Sequence, residues 1–240
     1  RIPESQWTGH AKALAKAFDR AGYKYLPDQN GFFEDGYFPI TISNAEEKRV
    51  SAAIGYLNAE VRKRENLTIS THTQVSELLF DEERRCVGVK ATVNGKPQEF
   101  RGREVILSSG AIHSPAHLMR AGIGPAGHLT DLGIPVRPAL YGVGQRLLDH
   151  PAFARASVLK PKARVTNEVT RRHLYLAMRY SSEIGGAPPG DMFVVGASKT
   201  SWHAVGEQIA SFILFVNKTY SETGEVRLRS RSPSCLLYTS

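Results

Sequence analysis

The sequence predicts a mixed α/β chain of the α+β kind, and three observations lead there. From Ser5 to Tyr23, and again from Ser51 to Val61, apolar residues recur at helical spacing. From Leu67 to Leu107 the pattern shifts to the two-residue period of strands and includes an Asn-Gly hairpin signal. Beyond Pro151 strand-like segments follow one another with almost no helix between them, as in an antiparallel sheet.

Trp7, Ala11, Leu14, Ala15 and Phe18 form the stripe of a first helix, with Gly22 as its stop and Pro27 beyond. Asp28 to Gly31 reads as a turn, and the glycine-punctuated stretch to Ile42 as extended loop. Ser51 is placed to cap a second helix carrying Ile54, Leu57 and Val61 on one face. Leu67, Ile69, Thr71, Thr73 and Val75 alternate along a strand. Cys86 to Val93 forms another and runs into Asn94-Gly95, two residues that tolerate positive φ, with Phe100 on the return strand.

The apolar strand Val105-Ile106-Leu107 then breaks into the small residues Ser108-Ser109-Gly110-Ala111. Ser114-Pro115 offers a helix start, and Gly122 and Gly124 punctuate the helix end. Arg155 to Thr170 reads as a linker, Tyr175 to Tyr180 as apolar-rich, and Gly185 to Gly190 as a loop. Met192 to Val195, Ile209 to Val216 and Glu225 to Arg229 read as strands of a second, antiparallel unit.

Composition narrows the function classes. The chain has 240 residues, 41% hydrophobic and 22% charged, which is ordinary for a soluble globular protein. No apolar run approaches a membrane span and no leader pattern opens the chain, so the default expectation is a soluble, cytoplasmic protein. The net charge of +8 is spread over scattered Lys and Arg without interleaved aromatics, which argues against nucleic acid as a partner. Cys86 and Cys235 build no disulfide framework. His113 and His117 have metal-ligand spacing but no third ligand nearby, so no metal is expected. The segment from Arg231 to Ser240 shows neither strand nor helix periodicity. Its end resembles translated sequencing-adaptor read-through, so it is expected to be a non-native tail.

A buried strand feeding a small-residue turn and a helix N-terminus is a place where a nucleotide or flavin can meet free backbone N–H groups. Small residues from Ser108 to Ala111 would let a cofactor approach closely, although Gly110 would equally serve a tight turn. On the residues alone Val75 is a core strand residue.

The wording of the segment is more specific. Gly110 to Gly124, GAIHSPAHLMRAGIG, resembles the second signature of the glucose–methanol–choline (GMC) oxidoreductases, and Gly142-Val143-Gly144 and Leu148-Asp149-His150-Pro151 continue the likeness. Arg49 to Leu57 and Asn66 to Val75 are similar to the segments that precede that signature in the family. Phe215 to Leu228 resembles a substrate-domain stretch through Ser221, Gly224, Val226 and Leu228, although Lys218 or Thr219 stands near its usual Pro. Ala121 replaces a customary Ser, and Tyr141 a customary Pro.

The resemblance implies FAD as cofactor, with the backbone of Val75 at the adenine and Ser108, Ser109, Gly110 and Ala111 beside the cofactor. It implies an oxidoreductase acting on the CH–OH group of a small-molecule alcohol, with hydride transfer to flavin and oxygen or another electron acceptor. His150 is implied to order the turn that leaves the FAD domain. The family's catalytic His would lie beyond residue 230, and the N-terminal Gly-x-Gly-x-x-Gly is absent, so no catalytic residue is assigned and the chain is expected to be an internal fragment. The expected organisation is a partial FAD-binding domain over 1–154, a partial antiparallel substrate domain over 155–230, and the tail over 231–240. An FAD-containing hydroxynitrile lyase of the same fold, or a non-catalytic truncated product, are the alternatives. Oligomeric state is not specified by the sequence.

Overall fold

The computed structural model describes residues 3–45, 48–165, 173–200, 205–216, 224–233 and 238–239. Its helices are α1 (Gly9–Arg20), α2 (Ala52–Tyr56), α3 (Ala59–Arg62), α4 (Gly110–Arg120) and α5 (Ala126–Asp131). The first strands are β1 (Gly36–Pro39), β2 (Asn44–Ala45), β3 (Lys48–Arg49), β4 (Thr73–Phe80), β5 (Cys86–Val93) and β6 (Lys96–Arg101). They are followed by β7 (Ala152–Val158), β8 (Leu174–Tyr180), β9 (Met192–Ala197), β10 (Ile209–Val216), β11 (Val226–Arg227) and β12 (Tyr238–Thr239). Helices and antiparallel sheets are mixed, in agreement with the expected class. No helix among the described residues is long and apolar enough to cross a membrane.

The chain forms two compact units, residues 1–63 with 149–219 and residues 64–148 with 220–240. The N-terminal part and the residues from 149 onward share the first unit because β1 pairs with β8.

The first unit is built on a five-stranded antiparallel sheet in the order β1-β8-β9-β10-β7. Helix α1 forms where the stripe places it. Thr8 caps it, its Oγ1 accepting from the Ala11 N–H at 3.1 Å. At its end Gly22, with φ of 87°, donates to the Asp19 carbonyl at 3.0 Å, and the Tyr23 N–H donates to the Phe18 carbonyl at 3.0 Å. That is the Schellman pattern, which needs a residue comfortable at positive φ. The stripe packs Trp7, Leu14 and Phe18 onto Tyr37, Tyr175 and Met178. Ala177, which alternates with Leu176 and Met178, joins Leu26, Phe38, Ile40 and Val195 in a second cluster.

Three expectations in this unit are corrected. The stretch to Ile42, expected as loop, contains β1, all four of whose residues are buried. A strand covered on both faces shows no polar alternation to read. The described part of the expected linker starting at Arg155 includes β7, whose residues from Ala152 pair with β10. As an edge strand exposed along its length, it needs no apolar pattern. Residues 166–170 of that linker lie outside the described residues. The helix begun at Ser51 is two short ones. Ser51 Oγ accepts from the Ile54 N–H at 3.3 Å, but Asn58 Oδ1 accepts from the Val61 N–H at 3.0 Å and starts a new helix.

The second unit carries the three-stranded sheet β4-β5-β6. The Asn-Gly turn is as expected: Asn94 and Gly95 sit at φ of 49° and 83°, between the paired Val93 and Lys96. The strand expected from Leu67 is displaced, its ladder running only from Thr73 to Phe80. The Val105–Leu107 strand does not form: no described strand pairs with it, and Ile106 is 82% exposed. Apolar residues cannot make a buried parallel strand without flanking strands. Of the strand expected over Glu225–Arg229, only β11 forms, and it pairs with β12. Ser221, Lys218, Thr219 and Cys235 lie outside the described residues.

Candidate functional site

The residues assigned to the cofactor from the sequence, Val75 and Ser108 to Ala111, lie in the second unit. Helix α4 begins at Gly110, ahead of the expected start at Ser114-Pro115. Pro115 therefore falls inside the helix and has no N–H to donate to the Ala111 carbonyl one turn back. Ser109 occupies the N-cap without a side-chain cap bond. Instead its own N–H donates to Ser114 Oγ at 3.0 Å, tying the turn to the helix. Gly110 has φ of 83°, and a Cβ there would meet nothing within 4 Å. Ser108, Ser109, Gly110 and Ala111 are all exposed. A helix start in this form leaves first-turn N–H groups without side-chain acceptors and small residues in front of them.

The other end of α4 is fixed by packing. Ala116 and Met119 are fully buried against Leu129, Ile134, Val226 and Leu228. Gly122, at φ of 84°, closes the helix: its N–H donates to Met119 at 2.9 Å and the Ile123 N–H to Leu118 at 2.9 Å. The Gly142–Gln145 loop is drawn in by the Val226 N–H, which donates to the Gly144 carbonyl at 2.7 Å. Gly144 has no room for a side chain, because a Cβ would run into the Val226 carbonyl. The second glycine of Gly-Val-Gly is thus explained by close backbone approach, whereas a Cβ at Gly142 would meet nothing within 4 Å.

Val75 lies half-buried on β4, opposite Ala91. β4 is an edge strand of this sheet, so among the described residues one side of its backbone has no strand partner. In a two-residue hairpin the residues flanking the turn exchange hydrogen bonds, so Val93 turns its N–H and C=O toward Lys96. Ala91, two residues earlier, faces the same way. The Val75–Ala91 pair is then a non-bonded one, and the N–H and C=O of Val75 point out from the free edge of β4. This agrees with the Asn94 N–H donating to the His72 carbonyl at 3.2 Å, three residues before Val75. A bulge follows directly, between Val75 and Glu77.

Two cavities among the described residues each take some of the site's residues or their neighbours. Ala111 and Pro115 line a cavity of about 260 Å³ with Gly144, Arg146, Leu148 and Val226. Ser76 and Glu77, next to Val75, line another of about 370 Å³ with Arg120 and Ile134. On α4 the first cavity is lined from Ala111 and the second from Arg120, residues separated by roughly 14 Å of helix axis at 1.5 Å per residue.

The histidines divide by partner. His117 is held below the usual imidazole value by burial, then by Arg120 and His113. His150, in the first unit, places Nδ1 2.9 Å from the Val216 carbonyl, and the Val216 N–H donates to the Pro151 carbonyl at 3.0 Å. Sequence reasoning passed over one other, and saw His128 only as one of several histidines without its partner. His10 is buried in the first unit, with Nδ1 3.2 Å from Ser198 Oγ and its ring edge-on to Phe212. Position on the α1 stripe was its only signal. His128 is tied to Leu228 by a contact 100 residues apart in sequence, which no local pattern announces.

Comparison with known proteins places this geometry. Residues 4–152 match the family model described as GMC oxidoreductase. A 5-(hydroxymethyl)furfural oxidase from Methylovorus sp. (strain MP688) is 38% identical over 237 residues, covering 97% of this chain and 43% of its own. Mitochondrial choline dehydrogenase from Homo sapiens is 45% identical over 139 residues, 58% of this chain and 23% of its own. Among solved structures, pyridoxine 4-oxidase from Mesorbium loti superposes with a TM-score of 0.82 at 23% identity, over 100% of this chain and 48% of that one. A formate oxidase superposes with a TM-score of 0.80 at 20% identity, over 95% of this chain and 48% of that one. The chain thus spans about half the length of these structures and less of the curated relatives. At these identities the structural likeness speaks for the fold, and the family match speaks for descent. The chain belongs to the GMC oxidoreductases, the FAD-dependent family whose second signature it carries at Gly110–Gly124.

Proposed function

We propose that a protein carrying this chain oxidises a primary or secondary alcohol, and that the second unit holds part of the FAD. The observation that carries this reading is the outward-facing N–H and C=O of Val75 on an open strand edge. One donor and one acceptor side by side are complementary to the edge of an adenine ring. At the other end of α4, Ser108 to Ala111 offer exposed small residues and uncapped N–H groups. A separation of roughly 14 Å along the helix suits one extended dinucleotide meeting both ends. The residues present therefore fit FAD.

When bound, FAD supplies a hydride acceptor. This chain's part is to bind and orient: Val75 fixes the ring edge through its backbone, and the bulge after it turns the strand away. The Gly142–Gln145 loop, pinned by Val226, braces the flank of α4. No residue of the chain is assigned the proton transfer. Relatives named as oxidases and dehydrogenases, one of them for a furanic alcohol, favour a small primary alcohol as substrate.

Val75→Pro tests the adenine contact. It removes only an N–H that faces away from the ladder, which an edge strand tolerates. FAD affinity should fall by about tenfold, one hydrogen bond's worth, with the sheet's circular dichroism unchanged. An unchanged affinity would refute the contact. For the reaction, anaerobic addition of 5-hydroxymethylfurfural or choline to the flavin-loaded protein should bleach the flavin spectrum. A spectrum that stays oxidised with every alcohol would move the assignment to the lyase.

A further inference from the structure

A cavity of about 470 Å³ lies between α5 and the segment that follows β11, lined by His128, Arg227, Leu228 and Arg229. His128 forms part of its wall. The backbone N–H of Leu228 donates to His128 Nε2 at 3.2 Å, and Leu228 itself is only 3% exposed, so this anchor is fixed. A neutral imidazole has one acceptor nitrogen and one N–H. With Nε2 accepting, the ring proton is on Nδ1.

Nδ1 lies 3.3 Å from Nη2 of Arg227. A guanidinium has no acceptor, so two donors face each other. Protonating the ring would make matters worse by turning a second N–H against that of Leu228. Burial and then Arg227 keep His128 below the usual imidazole value, with Asp131 and Glu225 opposing them. Glu225 does not resolve the conflict. Its Oε1 is 3.6 Å from the other terminal nitrogen, Nη1 of Arg227, and its Oε2 accepts from Gln145 Nε2 at 3.2 Å.

An acceptor lying between the two donors would satisfy both. We propose that this cavity is an oxyanion site of the phosphate class, in which His128 Nδ1–H and the Arg227 guanidinium donate to the same ligand and Arg229 adds charge from the rim. Two arginines and a neutral donor match a doubly charged tetrahedral oxyanion better than a carboxylate. The volume leaves room for a small phosphate monoester as well as free phosphate. This site is independent of the flavin reading.

The test is titration of inorganic phosphate into the whole chain at constant ionic strength, following the His128 ring nitrogens by 15N NMR. The expected result is a saturable shift at Nδ1 with Nε2 still an acceptor. Arg227→Gln should weaken binding about tenfold or more, and Arg229→Gln less. Both side chains are exposed, so the fold should survive, as the unchanged shifts of the Ala116–Met119 core would report. A glycerol phosphate arm identifies the source: tighter binding than phosphate assigns a monoester, weaker binding the free ion. A shift that never saturates, an Arg227→Gln affinity equal to wild type, or acetate binding as well as phosphate would overturn the proposal.

Discussion

Strand β8 and the stretch from Arg103 to Ser109 each carry an unbroken apolar run, LYLAM in one and VIL in the other, and they differ sharply in what surrounds them. β8 lies between β1 and β9, and Tyr175, Leu176 and Ala177 on it are fully buried. Residues 103–109 have no described strand beside them, and Ile106 is 82% exposed. A strand is made by its neighbours. β8 finds them in a segment more than 130 residues earlier and in the strand that follows it, whereas the stretch before α4 ends in a turn whose residues face outward. The first region is a scaffold held by burial. The second leaves its backbone exposed, which is what the proposed contact with FAD requires of it.

The sharpest way to break this contrast is to truncate one side chain in each region. Leu176→Ala should cost about 2–5 kcal/mol of unfolding free energy, the transfer term plus a cavity. Ile106→Ala should stay within about 0.5 kcal/mol. Equal costs in urea unfolding would show that the stretch is buried after all.

Next come the glycines at the two ends of α4. Gly110→Ala meets open space and should cost only its positive φ, about 1 kcal/mol. Gly122→Ala carries the same φ penalty and also drives a Cβ into the Pro135 carbonyl, for roughly 3 kcal/mol. Thermal unfolding of the two variants would separate turn geometry from packing.

The caps differ in the same sense. Thr8→Ala removes a true N-cap from α1 and should cost about 1 kcal/mol. Ser109→Ala removes a side chain that caps nothing and should lie within about 0.5 kcal/mol. A larger effect at Ser109 would assign it a cap that the geometry lacks.

The smallest expected effect is on pH dependence. Burial holds His10 and His173 in the first unit below the usual 6.5, and His173 is lowered further by Lys199. A histidine whose folded pKa lies below its unfolded one leaves the unfolded chain binding more protons. Their stabilisation is therefore complete above 6.5 and is lost as pH falls from there toward the folded values. Melting temperature should drop between about pH 7 and about pH 5, and His10→Phe should flatten part of that slope. A slope that the substitution leaves unchanged would clear His10 of the effect.

Much of this was legible locally. The α1 stripe, the Asn94-Gly95 turn, the Ile209–Val216 strand and the signature from Gly110 to Gly124 each depend on periods, caps and turn residues within a few positions. Other features were not. β1 reads as loop because burial on both faces erases alternation, and β7 because an exposed edge imposes none. At the candidate site Val75 and Ser108–Ala111 were assigned to the cofactor by the family resemblance. The lining of one cavity from Ala111 and of the other from Arg120 was not legible in the sequence.

The class, the α1 stripe and the Asn94-Gly95 turn were set by the sequence, because they rest on short-range chemistry such as a helical period and glycine at positive φ. The family was set by the likeness of the Gly110–Gly124 wording to a known signature. Tertiary structure alone decided which apolar runs became strands, which backbone edge stayed open at Val75, and which two donors were set against each other at His128 and Arg227. Those outcomes depend on partners far away in the chain. Hydrogen-bond pairing and burial are settled between segments, and a segment read alone carries no record of who its neighbour will be.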